Sequence, residues 1–290
     1  MVKLIAIDLD GTLLNKENKI SETNLEAIKH AQSTGVEVVV ATGRAQFDVK
    51  KIFEGTGIQT WVIGTNGATI HQPTGELFHA VPMEDQHVNE ILEWLDQESF
   101  HYEVFSENAI FTPQNGRELL NIEMDRAKSA NPDTDMEELQ AAVQRQFSQE
   151  GFSPIQSYQD VLEMDADIYN ILAFSFAEEK LAKGWKKFGS RQDLTIVSSS
   201  KHNFELEHKN ASKGIALQSL AEKLNIRLED TAAVGDSFND LSMLKIAGRS
   251  AAMGNADQEI KNKAHEVTLT NDEDGVAHFI EALTKNVPLT

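Results

Sequence analysis

The chain contains no cysteine among its 290 residues. This absence excludes disulfide bonds, thiolate metal sites and thiol catalysis. It is compatible with a reducing compartment but does not identify one. Any catalysis or metal binding must therefore use other side chains.

Long apolar runs are also absent. No stretch approaches the roughly eighteen consecutive apolar residues that a membrane-spanning helix needs. The first residues, MVKLIAIDLDG, carry aspartates where a signal peptide keeps its hydrophobic centre. We therefore expect a cytoplasmic protein that has no membrane partner.

Positive charge is scarce, because 26 Lys and Arg residues stand against 46 Asp and Glu residues and give a net charge of −20. Binding a polyanion requires a cationic face that releases counterions, so nucleic acid is not an expected partner. Residues 83–208 hold 25 acidic and 10 basic residues, a net of −15, which leaves 21 and 16, a net of −5, for the rest. This uneven charge indicates two structural units.

Short apolar runs and helix-length segments alternate near both ends of the chain. The predicted strands are residues 4–7, 38–41, 61–63, 232–234, 251–253 and 267–269, and helices are predicted around residues 25–31, 49–53, 213–224, 238–246 and 276–283. Runs that are apolar throughout suit strands covered on both faces, and right-handed crossovers then make a parallel sheet. The pattern predicts an α/β fold with a Rossmann-like parallel-sheet core, formed by residues 1–82 and 209–290.

The middle of the chain has a different pattern. Helices are predicted at residues 88–95 and 137–147, strands at 103–111, 169–176 and 194–207, and a turn-rich loop at 131–135. We therefore expect an inserted α+β domain, residues 83–208, that splits the core.

Two aspartates close the first strand, in the segment IAIDLDGT. Asp8 and Asp10 are separated by one residue, so both side chains point to the same face while strand geometry persists. They lie at the carboxyl edge of the sheet, where open α/β folds bind ligands. Gly11 allows a sharp turn, and we expect the Thr12 hydroxyl to anchor it. For this segment alone, an ordinary Asp-Gly turn is the alternative.

The second and third strands also end in polar residues, in VVVATGR and WVIGTNGA. Thr42 closes the second strand, and Gly43 is expected to open the next helix. The N–H groups of that helix start and the Thr42 hydroxyl suit a bound phosphate. Thr42 is alternatively an ordinary helix N-cap. Asn66 follows the third strand, and for it we expect a structural turn rather than a substrate contact.

The late segments NASKG and AVGDSFND add a cation and two acids. Lys213 stands at the start of a helix, where the helix dipole disfavours a cation, and such violations often have functional reasons. A flexible surface lysine is the alternative. Asp236 lies at a strand tip, and Asn239 and Asp240 fall in the first turn of the following helix. Carboxylate oxygens beside a phosphate are the ligands that Mg²⁺ prefers.

Together these segments resemble the haloacid dehalogenase superfamily, since the motifs of Asp8, Thr42, Lys213 and Asp236 occur in its order, with a long insertion between Thr42 and Lys213. DLDGT, ATGR, NGA and GDSFND, with a large α/β cap, resemble the Cof-type sugar-phosphatase branch of that superfamily. The resemblance spans essentially the whole chain and is thinnest over residues 100–165. It implies an Mg²⁺-dependent phosphatase that hydrolyses small phosphomonoesters, above all sugar phosphates, through an aspartyl-phosphate.

The resemblance also implies a role for each motif residue. Asp8 would attack phosphorus, while Asp10 would protonate the leaving oxygen and then deprotonate water. The phosphate-binding residues would be Thr42, Gly43, Lys213 and Asn239. The Mg²⁺ ligands would be Asp8, Asp236 and the backbone carbonyl of Asp10. Supporting positions would be Thr12, Arg44, Asn66 and Asp240, the last orienting Lys213 or the waters on the metal.

Charge and domain organisation add three expectations. Four aspartates and a phosphate ester outweigh Mg²⁺ and Lys213, so the site should take up a proton, for which Asp10 is the expected holder. The inserted domain is expected to act as a lid that closes over the leaving group and selects the substrate, with hinges near residues 81–82 and 209–210. The expected partner is a small phosphorylated metabolite, and the chain is expected to be a monomer or a small homo-oligomer.

Two other functions remain open. A phosphomutase of the same superfamily would return the phosphoryl group to the sugar rather than to water. A non-catalytic phospho-receiver would keep the phosphate on Asp8, although it has little use for an acid such as Asp10 beside the acyl phosphate.

Overall fold

The computed structural model describes residues 2–285, which form two compact units. The first unit, called the core below, is built from both ends of the chain, up to Ala80 and from Asn210 onward. The second unit, called the cap, is the continuous insertion Val81–Lys209. The first boundary lies two residues before the predicted one, and the second lies one residue after it.

The first core segment alternates strands and helices. Its elements are β1 (Leu4–Ile7), α1 (Glu22–Ser33), β2 (Glu37–Ala41), α2 (Gln46–Ile52), β3 (Trp61–Gly64), β4 (Thr69–His71) and β5 (Leu77–Ala80). Helix α1 begins after Ser21, whose hydroxyl accepts a hydrogen bond of 3.1 Å from the backbone N–H of Asn24. Helix α2 begins at Gln46, so the prediction that Gly43 opens this helix is wrong by three residues.

The cap contains helices and strands in mixed order. Its elements are α3 (Asp85–Gln97), β6 (His101–Ser106), β7 (Ile110–Pro113), α4 (Gly116–Ala130), α5 (Met136–Gln146), β8 (Phe152–Ile155), α6 (Tyr158–Leu162), β9 (Ile168–Phe174), α7 (Glu178–Phe188), β10 (Leu194–Val197) and β11 (Asn203–His208). The predicted strands 103–111 and 194–207 are each two antiparallel strands joined by a short turn. Apolar patterning found the strands but not the polar turns between them, and helices α4 and α7 were not predicted.

The second core segment returns to strand and helix alternation. Its elements are α8 (Lys213–Lys223), β12 (Thr231–Gly235), α9 (Leu241–Ile246), β13 (Arg249–Ala252), α10 (Gln258–Lys261), β14 (Glu266–Val267) and α11 (Gly275–Lys285). The helix predicted from Phe238 starts as a single 3-10 turn, Phe238–Asp240, and continues as α9. The strand predicted at residues 267–269 is shorter and ends at Val267.

The core sheet has eight strands among the described residues, in the order β14-β13-β12-β1-β2-β3-β4-β5. The six strands from β14 to β3 are parallel, which confirms the α/β class and the parallel sheet. Strands β4 and β5 add an antiparallel edge that was not predicted. Short turns connect β3 to β4 and β4 to β5. They leave no room for a crossover helix, so each of these strands runs antiparallel to the one before it.

Two layers of helices cover this sheet, because alternate residues of each strand point to opposite faces. On one face Ile5 and Ile7 pack in an apolar cluster with residues of α1 and α11. On the other face Leu4 and Ala6 pack with residues of α8 and α9. Among residues 2–285, no helix has the length and apolar character needed to cross a membrane.

The cap has its own sheet and its own apolar core. The strand order is β10-β11-β9-β6-β7-β8, and only the β7–β8 pair is parallel among the described strands. One face of the sheet packs on α3 and α7, and Phe188 and Phe204 are fully buried there. Helix α7 approaches the sheet closely, because a Cβ atom on Gly184 would lie 2.3 Å from the Phe204 ring.

The packing of α7 gives a testable prediction. The substitution Gly184→Ala should lower the free energy of unfolding of the cap by about 1–3 kcal/mol, because the added methyl group forces the helix away from the sheet. Urea unfolding measures this change. The matched control is Lys186→Ala in the exposed part of the same helix, which should change stability by less than about 0.5 kcal/mol. Equal effects of both substitutions would contradict the prediction.

Candidate active site

The polar residues singled out in the sequence lie at one edge of the core sheet. Asp8 follows β1, Thr42 follows β2, Asn66 follows β3 and Asp236 follows β12. These strands are parallel neighbours, so their carboxyl ends meet at the same edge, where open α/β sheets bind ligands. Lys213 reaches this edge from the first residue of α8.

A buried lysine joins two of the aspartates. The Lys213 ammonium donates hydrogen bonds to Asp8 Oδ1 at 2.7 Å and to Asp240 Oδ1 at 2.6 Å. Its side chain is 0% exposed, so the alternative of a flexible surface lysine does not apply. The two carboxylates explain why the chain tolerates a cation at a helix start, because they outweigh the unfavourable helix dipole.

Asp240 also fixes the turn that carries Asp236. Its second oxygen, Oδ2, accepts the backbone N–H groups of Asp236 and Ser237, each at 2.9 Å. The Asp240 carboxylate lies so close to the backbone that the residue before the turn must be a glycine. A Cβ atom on Gly235 would lie 2.4 Å from the Asp240 carboxyl carbon. Asp240 therefore orients Lys213 with one oxygen and the turn of Asp236 with the other.

Asp236 is linked to the loop that follows β1. Its Oδ1 accepts a hydrogen bond of 2.9 Å from the Thr12 hydroxyl. Thr12 thus holds a residue 224 positions away instead of the local turn that the sequence predicted. Gly11, at φ +77°, leaves the space for this contact, because a Cβ there would lie 2.4 Å from Asp236 Oδ2.

Buried negative charge dominates the electrostatics of this group. Burial is the main cause that raises the pKa of Asp8 well above its ordinary value, and the Asp240 carboxylate is the second. Lys213 acts in the opposite direction. The same two causes raise the pKa of Asp236 to about 7. Burial alone would lower the pKa of Lys213, but Asp240 and Asp8 outweigh it and raise that pKa. One lysine does not offset three carboxylates, so the group binds a proton or a cation readily.

Asp10 lies outside this buried group and pairs with Arg44. The guanidinium donates from Nε to Asp10 Oδ2 and from Nη2 to Asp10 Oδ1, both at 2.7 Å. Its Nη1 donates to Asp48 Oδ2 at 2.6 Å. Two parallel hydrogen bonds from a guanidinium fix both oxygens of the facing carboxyl group in one orientation. Arg44 therefore orients the Asp10 carboxyl group, and the expectation that Asp10 holds the proton of the site stays a prediction.

Thr42 and Gly43 form a turn, not a helix start. The Thr42 hydroxyl, which is almost completely buried, accepts the backbone N–H of Arg44 at 3.1 Å. Because α2 begins only at Gln46, the N–H groups near Gly43 belong to the turn that follows β2. The assignment of Thr42 and Gly43 to phosphate binding stays a prediction.

Asn66 and Asn239 are brought together from two different strand ends. Asn239 Nδ2 donates to Asn66 Oδ1 at 3.0 Å, and the Asn66 backbone N–H donates to the Thr42 carbonyl at 2.9 Å. Asn66 has φ +53°, as expected for a structural turn. Asn239 Oδ1 is buried and has no hydrogen-bond partner in the structure. The pair joins the turns after β3 and β12 at the edge of the site.

The donor set fits a small divalent cation. Carboxylate oxygens of Asp8, Asp236 and Asp240 lie within 4.8 Å of one another. Asp240 already accepts from Lys213 and from two backbone N–H groups, so Asp8 and Asp236 are the carboxylates open to a metal. The sequence prediction named Asp10 in place of Asp240, and that ligand stays a prediction.

Two asparagines that the sequence analysis missed hold the loop after β1. Asn255 Nδ2 donates to the Gly11 carbonyl at 2.8 Å, and Asn255 Oδ1 accepts the backbone N–H of Asn271 at 3.0 Å. Asn271 Nδ2 donates to the Leu14 carbonyl at 2.8 Å. No local pattern marks either asparagine. Asp48 was missed too, but its spacing of four residues from Arg44 is a signal that the sequence does contain.

The comparison with protein families agrees with this geometry. The model of haloacid dehalogenase-like hydrolases matches residues 5–280. The chain belongs to this family. It is a phosphoric monoester hydrolase of the Cof type, which confirms the family and the enzyme class predicted from the motifs.

Named relatives are similar over nearly the whole chain. Phosphatase YwpJ of Bacillus subtilis strain 168 is 56% identical over 284 residues, which cover 97% of this chain and 100% of the relative. The 5-amino-6-(5-phospho-D-ribitylamino)uracil phosphatase YwtE of the same organism is 40% identical over 282 residues, covering 97% of this chain and 98% of the relative.

Solved structures share the fold. A haloacid dehalogenase-like hydrolase from B. subtilis has a TM-score of 0.88 at 56% identity, covering 97% of this chain and 100% of its own. The subclass IIB sugar phosphatase BT4131 has a TM-score of 0.78 at 20% identity, covering 98% of this chain and 99% of its own. At that identity the second likeness shows the fold alone.

Proton binding at Asp236 gives a testable prediction. Its pKa of about 7 in the folded protein lies above the ordinary value of 3.8, so protonation favours the folded state. In EDTA, the free energy of unfolding should fall as the pH rises from about 4 to about 7. Asp236→Asn should remove on the order of 3 kcal/mol of that fall. Urea unfolding at several pH values measures both proteins.

A second variant is a control that should change the pH dependence of stability in the opposite direction. Arg227 lowers the pKa of Asp230, so this carboxylate stabilises the folded protein as the pH rises. Asp230→Asn should therefore steepen the fall that Asp236→Asn reduces. An identical pH dependence in the wild type and in Asp236→Asn would show that Asp236 is not the proton-binding group.

Proposed function

We propose that this phosphatase hydrolyses small phosphomonoesters, sugar phosphates in particular, with Mg²⁺ and through an aspartyl-phosphate on Asp8. The observation that carries the proposal is the buried ion pair of Lys213 with Asp8. It holds the Asp8 carboxylate at the carboxyl edge of the sheet, and an oxygen of this carboxylate lies within 4.8 Å of a carboxylate oxygen of Asp236. A carboxylate held in this way is a positioned nucleophile beside a site for a cation.

The reaction would proceed in two steps. In the first, the second oxygen of Asp8 forms a bond to phosphorus while the bond from phosphorus to the ester oxygen breaks, and Asp10 gives that oxygen a proton. In the second, Asp10 takes a proton from water, whose oxygen attacks phosphorus and releases Asp8. Phosphate and the alcohol leave, and both aspartates return to their starting states.

Four residues would hold the phosphoryl oxygens. The donors are the Lys213 ammonium, the Thr42 hydroxyl, the backbone N–H of Gly43 and the Asn239 amide. Lys213 would keep its charge, because Asp8 and Asp240 raise its pKa. Fixed donors aimed at the phosphoryl group stabilise the charge that develops on it during transfer.

Mg²⁺ would be held by Asp8, Asp236 and the backbone carbonyl of Asp10. When bound, it supplies positive charge that offsets the carboxylates and the phosphate ester. The raised pKa values of Asp8 and Asp236 support this assignment, because burial first and then the neighbouring Asp240 carboxylate disfavour their negative charge, which a bound cation would offset.

The relatives support a small metabolite as substrate. YwtE is named for a uracil derivative that carries a phosphorylated ribityl chain, and an HMP-PP phosphatase of Yersinia pestis is 27% identical over 294 residues. We infer that the present enzyme also acts on a small phosphorylated metabolite, as a monomer or small homo-oligomer, with the cap acting as a lid that selects the leaving group.

One assay tests the function against its alternatives. Purified protein with Mg²⁺ should release inorganic phosphate from a panel of sugar phosphates and from p-nitrophenyl phosphate, and EDTA should abolish release. A phosphomutase would isomerise a sugar phosphate and release little phosphate. A phospho-receiver would retain label on Asp8 without turnover, so either result would overturn the proposal.

The nucleophile is tested by Asp8→Asn. Turnover should fall below detection, because the amide does not attack phosphorus. Stability should be retained or should increase, because the substitution removes one of three clustered acids. Phosphate release and thermal unfolding measure the two effects. An active Asp8→Asn protein would exclude Asp8 as the nucleophile.

The Arg44 guanidinium should position the carboxylate of Asp10. In Arg44→Lys a single ammonium replaces two parallel hydrogen bonds, so the carboxylate loses its fixed orientation. We expect kcat/KM for an alkyl phosphate to fall by roughly 10–100-fold, with a much smaller loss for p-nitrophenyl phosphate, whose leaving group needs little protonation.

Two variants control the Arg44 experiment. Asp10→Asn should show the same dependence on the leaving group, because it removes the acid itself. Asp48→Asn removes the other partner of Arg44 and keeps the contact with Asp10, so it should change the two substrates equally. An equal loss on both substrates in Arg44→Lys would contradict the positioning role.

A further inference from the structure

The proposed ligands of the metal come from two separate segments of the core. The loop after β1 carries Asp8 and Asp10, and the turn after β12 carries Asp236. Ionised carboxylates on the two segments repel each other when no cation lies between them. Other contacts must therefore hold the segments together before a cation binds.

Gly11 is the point at which the loop after β1 contacts Asp236. A Cβ atom on Gly11 would lie 2.4 Å from Asp236 Oδ2, so the Cα atom of this glycine lies against the carboxylate. Gly11 has φ 77° and ψ 0°, and a glycine adopts many other backbone conformations at little cost. The residue type alone therefore does not hold the loop against Asp236.

The Asn255 side chain holds Gly11 by its carbonyl group. Asn255 Nδ2 donates to the Gly11 carbonyl oxygen at 2.8 Å. Asn255 Oδ1 accepts the backbone N–H of Asn271 at 3.0 Å, and these two contacts settle the orientation of the amide. Gly11 thus lies between two side chains, with its Cα atom at Asp236 and its carbonyl at Asn255.

The backbone next to Asn255 is fixed as well. The Gly254 N–H donates to the Leu269 carbonyl at 2.9 Å, and the Gly254 carbonyl accepts a hydrogen bond of 2.6 Å from the Lys261 ammonium. Asn255 therefore contacts the loop after β1 from a supported position. Hydrogen-bonding partners behind a metal site need such support, because they orient the ligands of the metal.

We propose that Asn255 is a positioning residue for the metal, because it holds Gly11 against Asp236 and so keeps the two ligand-bearing segments at the separation that the cation needs. The proposal rests on the proposed function, which assigns Mg²⁺ to Asp8, Asp236 and the backbone carbonyl of Asp10. A site that is organised before the cation arrives does not spend binding energy on ordering its ligands. Loss of such a contact typically costs about 10–100-fold in metal affinity.

The affinity for Mg²⁺ tests this role. Calorimetry on the whole chain without substrate measures the dissociation constant of Mg²⁺, and the rise of the melting temperature with Mg²⁺ measures it a second time. Asn255→Ala should raise this constant by about 10-fold or more. At saturating Mg²⁺, kcat should fall by less than the affinity does. Asn255 is exposed, so the substitution removes hydrogen bonds rather than core packing.

Asn271→Ala is the matched control. It removes the hydrogen bond from Asn271 Nδ2 to the Leu14 carbonyl, which holds the same loop beyond Gly11. It keeps the backbone N–H that Asn255 accepts. The dissociation constant of Mg²⁺ should therefore change little in Asn271→Ala, whereas a merely structural role of the two asparagines predicts equal changes.

A second variant separates position from charge. Asn255→Asp keeps the size of the side chain and the acceptor for the Asn271 N–H, but its carboxylate does not donate to the Gly11 carbonyl. At pH 8 the added negative charge by itself would tighten Mg²⁺ binding, whereas loss of the positioning contact weakens it. We expect weaker binding than in the wild type.

The outcomes separate this role from the proposed function. A wild type that binds Mg²⁺ and releases phosphate, with unchanged dissociation constants in Asn255→Ala and Asn255→Asp, would overturn the positioning role and leave the phosphatase function standing. Equal weakening in Asn255→Ala and Asn271→Ala, or tighter binding in Asn255→Asp, would also overturn it. A wild type that binds no Mg²⁺ would count against the metal assignment of the proposed function as well.

Discussion

The ion pairs of Lys213 with Asp8 and Asp240 are the interaction on which the site depends. A buried ammonium is costly unless it is paired, and here two carboxylates pair with it at 2.7 and 2.6 Å. The lysine therefore fixes the start of α8, the end of β1 and the turn after β12 relative to one another. The surplus of carboxylates that remains makes the site a binder of protons or cations.

Close backbone approach is the second constraint. Gly11 and Gly235 leave room for Asp236 and Asp240, since a Cβ at either glycine would lie 2.4 Å from the facing aspartate. Asn255 and Asn271 hold the loop after β1 from the far end of the chain. The loops at this edge are thus positioned by contacts between distant segments, which suits a reaction that needs fixed donors and a fixed nucleophile.

The two units contain different sets of side chains. The core contains the motif residues and, with them, the features of a phosphoric monoester hydrolase. The cap contains a separate apolar core and, on one face of its sheet, Glu205 and Glu207 joined by Asn170. Part of the strong negative charge of the cap, which the composition already shows, lies on that face.

The sequence by itself determined the α/β class, the strands of the core, the insertion and the motif residues, because apolar runs and short motifs are local signals. The β4–β5 edge, the late start of α2 and the turns within the cap strands were decided by polar turns that periodicity does not reveal. Only the tertiary structure showed that Lys213 is buried, that Thr12 contacts Asp236 and that Arg44 takes both oxygens of Asp10. These contacts join residues up to 224 positions apart, and no local pattern encodes which distant partner a charged side chain meets.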